Sequence, residues 1–280
     1  MKQFTSRKEL RSYLDKEQDI CLGFVPTMGA LHEGHISLVE LSKAQCQRTI
    51  VSIFVNPTQF NDKDDLKNYP RTLERDLALL ETAGVDYIFI PSVEEIYQKE
   101  DTRVFDFGAK ESVMEGATRP GHFNGVAQVV SLLFDIVKPT KAFFGEKDFQ
   151  QIAIIRAMVN MLSINVEIID CPIKRAENGL ALSSRNALLT PEHFAAAPTI
   201  YKALKKAVEL KDTLSPKQIK EQVTEMINNT GLLSVIYFNI IDAYSLQEIT
   251  SWSETVRPHG CIAVKAGNIR LIDNISFVCK

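Results

Sequence analysis

The chain has 280 residues, 45% hydrophobic and 24% charged, with a formal net charge of −3. That is an ordinary globular composition for one large or two moderate domains, and it gives no support for nucleic acid as a partner, which demands a basic face. No apolar run reaches membrane-spanning length, since Val126–Val137 is broken by Gln128, Ser131 and Asp135. The first ten residues hold no apolar signal core, and the five cysteines show no Cys-x-x-Cys spacing, so reduced thiols and a cytoplasmic protein are expected.

In chain order, Ile20–Val25 is an apolar, strand-like run followed by a Gly-containing turn and a helix from about Gly34. Thr49–Val55 is the next strand. Leu73, Leu77 and Leu80 recur at i, i+4, i+7 before Gly84, which predicts a helix over 71–83. Between them the polar stretch Asn61–Asn68 reads as a candidate mobile loop or lid. Val85–Ile90 is strand-like; Val126, Val129, Val130, Leu133 and Val137 form a helical stripe; Ala142–Gly145 is a short strand; Ile152, Ile155, Val159 and Leu162 form another stripe; Val166–Ile169 is a strand. Strands alternating with helices imply right-handed crossovers in a parallel sheet, here with helices on both faces because the strands are almost continuously apolar. After about Asn178 the texture changes to Lys-rich helices over 191–210 and 215–229, opened by Pro191 and by Ser215–Pro216, and then to an antiparallel set, Ser234–Ile241, Cys261–Lys265 and Ile269–Ile272, with a hairpin at Ala266–Asn268. The expected architecture is an α/β, Rossmann-like domain over 1–176 and a smaller α+β domain over 177–280.

In an open parallel sheet, ligands bind beyond the carboxyl ends of the strands. Three polar segments fall there: Pro26 to His35, Asn56 to Phe60, and Gly145 to Asp148. His32 and His35 lie three apart at a predicted helix N-terminus, where unpaired N–H groups and the helix dipole favour an anion, so two imidazoles can donate to phosphate oxygens as charge develops. A metal pair is the poorer reading, because no third ligand and no His-Glu-x-x-His spacing accompany them. Ser183, Ser184 and Arg185 add two hydroxyls and a guanidinium suited to phosphate. Neither a Gly-x-Gly-x-x-Gly fingerprint nor a Walker loop is present.

Taken together, Pro26-Thr27-Met28-Gly29-Ala30-Leu31-His32-Glu33-Gly34-His35, Asn56-Pro57-Thr58-Gln59-Phe60, Arg119-Pro120-Gly121-His122-Phe123, Gly145-Glu146-Lys147-Asp148-Phe149-Gln150-Gln151 and Gly179-Leu180-Ala181-Leu182-Ser183-Ser184-Arg185-Asn186 resemble the pantothenate synthetase (pantoate–β-alanine ligase) family. That family belongs to the nucleotidyltransferases related to class I aminoacyl-tRNA synthetases. The likeness spans nearly the whole chain and is dense from 24 to 190. It implies a two-step reaction in which pantoate attacks the α-phosphorus of ATP and β-alanine then displaces AMP from the pantoyl adenylate. It further implies an ATP stretch over Met28–His35, with His35 as proton donor and His32 beside it. Gln59 and Gln151 match the glutamines that hold pantoate. Lys147 would bridge phosphate oxygens, with Asp148 and the Gly145 backbone at the adenosine part; Ser183, Ser184 and Arg185 match a second phosphate clamp, and Glu146 and Leu182 fall in the same ATP-binding segments. Asp76 matches a carboxylate near Mg2+, and Asn56 and Arg119 are candidate contacts for the second substrate. Lys174 departs from the pattern, standing where a small apolar residue would meet adenine through its backbone. A homodimer is also implied. Two alternatives stay open: an adenylyltransferase of the same superfamily acting on a cofactor precursor, which would have no reason for the paired glutamines, and a non-catalytic adenylate-binding protein.

Overall fold

A computed structural model describes residues 1–17, 19–60 and 63–278. Strand β1 (Lys2–Phe4) and helix α1 (Arg7–Leu14) precede β2 (Leu22–Thr27), α2 (Glu33–Gln45) and β3 (Arg48–Ile53). Next come α3 (Lys63–Asn68), α4 (Leu73–Thr82), β4 (Tyr87–Phe89), the short α5 (Val93–Ile96) and α6 (Met114–Thr118), the long α7 (His122–Val137), β5 (Lys141–Gly145), α8 (Phe149–Met161) and β6 (Glu167–Cys171). The remainder is α9 (Pro191–Ala196), α10 (Thr199–Glu209), α11 (Pro216–Asn228), β7 (Leu233–Asp242), β8 (Pro258–Ala266) and β9 (Ile269–Ser276).

Among the described residues, β1 to β6 form one sheet in the order β1-β4-β3-β2-β5-β6, with every pairing parallel. The chain builds outward from β2 through β3 to β4, then crosses to β5 and β6 on the other side. The switch point therefore lies between β2 and β5, where such sheets open a crevice. Side-chain alternation explains the burial. Phe24, Ile50, Tyr87 and Ala142 enter one core with α1, α7 and α8, while their neighbours Val25, Val51, Ile88 and Phe143 enter another with α2 and α4. Both faces are covered, which is why these strands read as unbroken apolar runs.

The second sheet is antiparallel, β7-β8-β9, and packs on α10 and α11 around Ile200, Leu204, Ile219, Val223 and Ile262. Ala266 pairs with Ile269 across Gly267-Asn268, and Gly267 adopts φ +59°, as a two-residue hairpin turn requires. By contact density the chain forms two compact units that interleave in sequence: Met1–Phe107, Arg119–Glu146 and Gln151–Pro172 form the first, and Gly108–Thr118, Lys147–Gln150 and the chain from Ile173 onward form the second. Within the second unit, Glu115 accepts from Tyr237 Oη at 2.9 Å and from Arg270 at 2.5 Å.

Three expectations need correction. The single helix over 191–210 is two helices, because Pro198 interrupts the hydrogen-bond ladder between Ala196 and Thr199. Of the expected 61–68 loop, Asn61 and Asp62 lie outside the described residues, and Lys63–Asn68 is helical. β1 and α1, absent from the sequence reading, add an edge strand paired with β4 and a helix packed on α7. Cys21, Cys46, Cys171 and Cys261 are free thiols, with Cys21 and Cys46 Sγ 2.9 Å apart; Cys279 lies outside the described residues. Among the described residues no helix is long and apolar enough to cross a membrane.

Candidate active site

The turn leaving β2 carries Met28 to Leu31. Thr27 Oγ1 donates to Ser52 O at 2.7 Å and accepts from Gly29 N at 3.2 Å, which folds the chain back at the strand end. Gly29 and Ala30 both take left-handed backbone, φ +80° and +50°. For Ala30 that conformation is sterically costly and must be held from outside. Asp76, 1% exposed in the first turn of α4, does so: Oδ2 accepts from Ala30 N at 2.9 Å and Oδ1 from Leu31 N at 2.8 Å and Thr72 Oγ1 at 3.0 Å. Each carboxylate oxygen thus bonds one amide of the turn. Among the described residues no group of three or more His, Cys, Asp or Glu is placed to hold a metal ion.

The turn ends in His32, the N-cap of α2. Its Nδ1 accepts from Gly34 N at 3.1 Å, and His35 Nδ1 accepts from His32 N at 3.3 Å, a capping box made of imidazoles. The two rings lie 4.2 Å apart, so the i, i+3 pair does share a face. Accepting at Nδ1 puts the proton of each neutral ring on Nε2, which makes both donors. The sequence reading gave the helix N–H groups to an anion. Instead, Gly34 N–H is capped by His32 and His35 N–H bonds His32 O at 2.8 Å. Donation from this helix start therefore rests on the imidazoles more than on the backbone.

After β3, Asn56 caps a short turn over Pro57–Gln59. Asn56 is 1% exposed, its Oδ1 accepting from Thr58 N, Thr58 Oγ1 and Tyr97 Oη at 3.3, 3.1 and 2.9 Å. Burial raises the Tyr97 hydroxyl above the ordinary tyrosine value, keeping it a donor. Asn56 Nδ2 reaches Gly125 O and Gln59 Oε1, at 3.2 and 3.3 Å, and Gln59 Nε2 points to Met28 Sδ at 3.0 Å. The structure thus joins Met28, Asn56 and Gln59. α7 packs closely against this turn, since a Cβ on Gly125 would stand 2.6 Å from Thr58 O. Arg119 meets His122 Nε2 at 3.1 Å, and buried His122 Nδ1 meets Gln59 O at 2.8 Å, so His122 carries its proton on Nδ1. His122 is a link that motif reading did not assign, although Arg-Pro-Gly-His-Phe contained it.

The remaining candidates follow β5 and β6. Gly145 ends β5, and Glu146–Asp148 form one 3-10 turn before α8, in whose first turn Gln151 is half-buried. Half-buried Lys147 pairs with Asp148 at 3.2 Å. Further on, Arg175 and Ala181 bridge antiparallel, and Leu182 N donates to Lys174 O at 3.0 Å, so the carbonyl of the exposed Lys174 is already bonded. The loop delivers Ser183 as cap of the 3-10 turn Ser184–Leu188, its Oγ accepting from Arg185 N at 3.3 Å. Asn186 donates to Ala181 O at 3.0 Å.

The family model for pantoate–β-alanine ligase matches residues 2–276. Pantothenate synthetase of Porphyromonas gingivalis is 56% identical over 256 residues, 91% of each chain, and that of Bacteroides fragilis is 50% identical over 279 residues, 99% of each. Among solved structures, pantothenate synthetase of Thermus thermophilus superposes with a TM-score of 0.94 at 41% identity and full coverage of both chains. Pantoate–β-alanine ligase of Francisella tularensis, complexed with an ATP species and β-alanine, does so at 0.85 and 36% identity, covering 100% of this chain and 99% of its own. With a family model matched over almost its whole length, a six-stranded parallel sheet switching at β2 and β5, and paired imidazoles where that sheet opens, this chain belongs to the pantoate–β-alanine ligase family.

Proposed function

We propose that this chain condenses pantoate with β-alanine to give pantothenate, converting ATP to AMP and pyrophosphate. The single observation that carries the reading is the imidazole capping box at the end of β2, two Nε2–H donors on a turn locked by Asp76. A pantoate carboxylate oxygen attacks the α-phosphorus, the bond to pyrophosphate breaks, and pantoyl adenylate forms. The β-alanine nitrogen then attacks the acyl carbon, the C–O bond to AMP breaks, and the amine proton passes to water. A carboxylate is a poor electrophile, and AMP is its leaving group.

The residues have distinct tasks in this reading. His32 and His35 donate to phosphate oxygens, and their effect grows with the negative charge of the transition state. Lys147, Ser183, Ser184 and Arg185 hold phosphate oxygens; Gly145, Glu146, Asp148, Lys174 and Leu182 serve the rest of the nucleotide. Gln59 and Gln151 orient pantoate, because an amide both donates to a carboxylate and accepts from a hydroxyl. Asn56 and His122 act through Gln59, and Arg119 meets the second substrate. Magnesium enters with the nucleotide, whose phosphate oxygens are hard ligands. The active protein is a cytoplasmic homodimer in this reading. Exchange of labelled pyrophosphate into ATP tests it: exchange should require pantoate and magnesium and proceed without β-alanine. Equal exchange without pantoate refutes the substrate.

A further inference from the structure

Lys147 is tied into the second unit through its backbone. Its carbonyl accepts from Asn274 Nδ2 at 3.1 Å, and Asn274 Oδ1 meets His259 Nε2 at 2.9 Å. Because the amide nitrogen serves a carbonyl, its oxygen faces the ring, and the neutral imidazole donates from Nε2. Burial holds His259 down to about 4, so it stays neutral and keeps that single polarity. The same ring stacks on Phe149 at 3.9 Å with planes 10° apart, gripping the segment two residues beyond Lys147.

The residue before Asn274 does the corresponding task for the other phosphate segment. Asp273 binds Arg175 in a bidentate pair at 2.6 and 2.8 Å, and its Oδ1 accepts from Asn274 N at 2.8 Å. Burial pushes the Asp273 carboxyl upward and the Arg175 guanidinium opposes it. Arg175 stands in the loop stem that bridges to Ala181 and runs on to Ser183. Two successive residues of β9 thus anchor the stem of Lys147 and the stem of Ser183–Arg185. Asp273 is 5% and Asn274 4% exposed, and none of Asp273, Asn274 and His259 lies in a family motif of the sequence.

We propose that Asp273 and Asn274, with His259 behind them, are positioning residues that hold Lys147 and the Ser183–Arg185 turn in one frame for the phosphates. The proposal rests on the phosphate roles assigned above. An amide anchored at one carbonyl sets where the Lys147 side chain starts, and an error of about 1 Å there is costly for a charge-stabilising group.

The experiment is single-turnover adenylation with thermal melts on Asn274→Ala, His259→Phe, Lys147→Ala and the Lys147→Ala/Asn274→Ala double variant. His259→Phe keeps the stack on Phe149 and deletes only the donor, which guards against a failure of Asn274→Ala to fold. Asn274→Ala should slow adenylation about tenfold, the scale of one net hydrogen bond, raise the KM for ATP, and leave the pantoate KM and the burst amplitude unchanged. His259→Phe should show a smaller loss of the same kind. In the Lys147→Ala background Asn274→Ala should add nothing, because it acts through Lys147. A folded Asn274→Ala or His259→Phe with normal adenylation overturns the proposal, as does a cost fully additive to that of Lys147→Ala, or a loss wholly accounted for by a smaller burst amplitude. Absence of pantoate-dependent exchange in the unaltered protein refutes the functional reading itself, and normal adenylation in Lys147→Ala refutes the phosphate role; either result also removes this proposal, and each is distinct from its own failure.

Discussion

Replacing Asp76 by Ala removes the acceptor for Ala30 N, Leu31 N and Thr72 Oγ1, which lie 2.9, 2.8 and 3.0 Å from its oxygens. Thr72 can turn to water; the Leu31 amide is buried beside Asp76, and the Ala30 amide is part-buried. Losing two hydrogen bonds to a charged acceptor costs roughly 1.5 kcal/mol each, about 3 kcal/mol together. The better helix propensity of Ala returns about 0.5 kcal/mol, too little to change the sign. For a unit of this size the remainder lowers Tm by roughly 5–10 °C. Ala30, left at φ +50° without its anchor, relaxes, and His32 moves with it. A displacement of about 1 Å at the caps should cost on the order of a hundredfold in adenylation. Asp76→Asn keeps the shape and one acceptor and should lose about half as much stability. Circular dichroism melts and single-turnover adenylation over a magnesium titration check this. A Tm unchanged in Asp76→Ala, with activity restored by raising magnesium, would falsify the turn-holding role and leave Asp76 a part in magnesium binding alone.

His35→Gln and His32→Gln keep a donor and should retain more adenylation activity than the Ala variants, while the purified protein should carry no stoichiometric zinc; activity lost to a chelator and restored by zinc would contradict the phosphate role. Lys147→Ala should slow adenylation by about two to three orders of magnitude with little change in melting. Gly125→Ala drives a methyl into the Thr58 carbonyl and should cost about 1–3 kcal/mol while raising the pantoate KM, since Gln59 rides on the same turn; an unchanged KM would separate α7 from substrate binding. His259, held near 4 when folded against 6.5 when unfolded, binds its proton first in the unfolded chain, so its stability contribution is complete above pH 6.5 and lost as pH falls toward 4. That amounts to about 3 kcal/mol, and urea midpoints should fall less steeply over this window in His259→Phe.

Much of this molecule was legible because burial writes a period into the sequence. The α7 stripe and the paired neighbours Phe24/Val25 and Ile50/Val51 are core residues with fixed spacing, and Gly267–Asn268 is turn chemistry. Elements with too few residues to show a period, such as β1, stayed invisible. At the site, His32 and His35 advertised themselves by proximity in sequence. Asp76 did not, because its partners stand 45 and 46 residues away and nothing in its own helix marks it as a turn clamp. Asn274 and His259 are further still from Lys147, with a separation of 127 between the bonded Asn274 and Lys147, and they occupy strands whose alternation concerns only packing. Motifs reveal groups that touch substrate; the groups that aim them are chosen by tertiary geometry.

The interleaving of the two units has a consequence for how the protein is made. Gly108–Thr118 and Lys147–Gln150 leave the ribosome early, yet the groups that complete them, Arg270 on Glu115 and Asn274 on Lys147, sit on β9 and arrive 155 and 127 residues later. Through most of synthesis the Glu115 carboxylate lacks Arg270 and the Lys147 carbonyl lacks Asn274, although Gln150 already reaches Glu115 N and the Val113 carbonyl. A chain stopped before β9 would keep every family motif and still lack the strand that fixes Lys147. Premature termination or tail proteolysis should therefore yield a protein that passes for intact by its motifs but forms the adenylate poorly, and neither unit can be produced from one contiguous stretch of the gene.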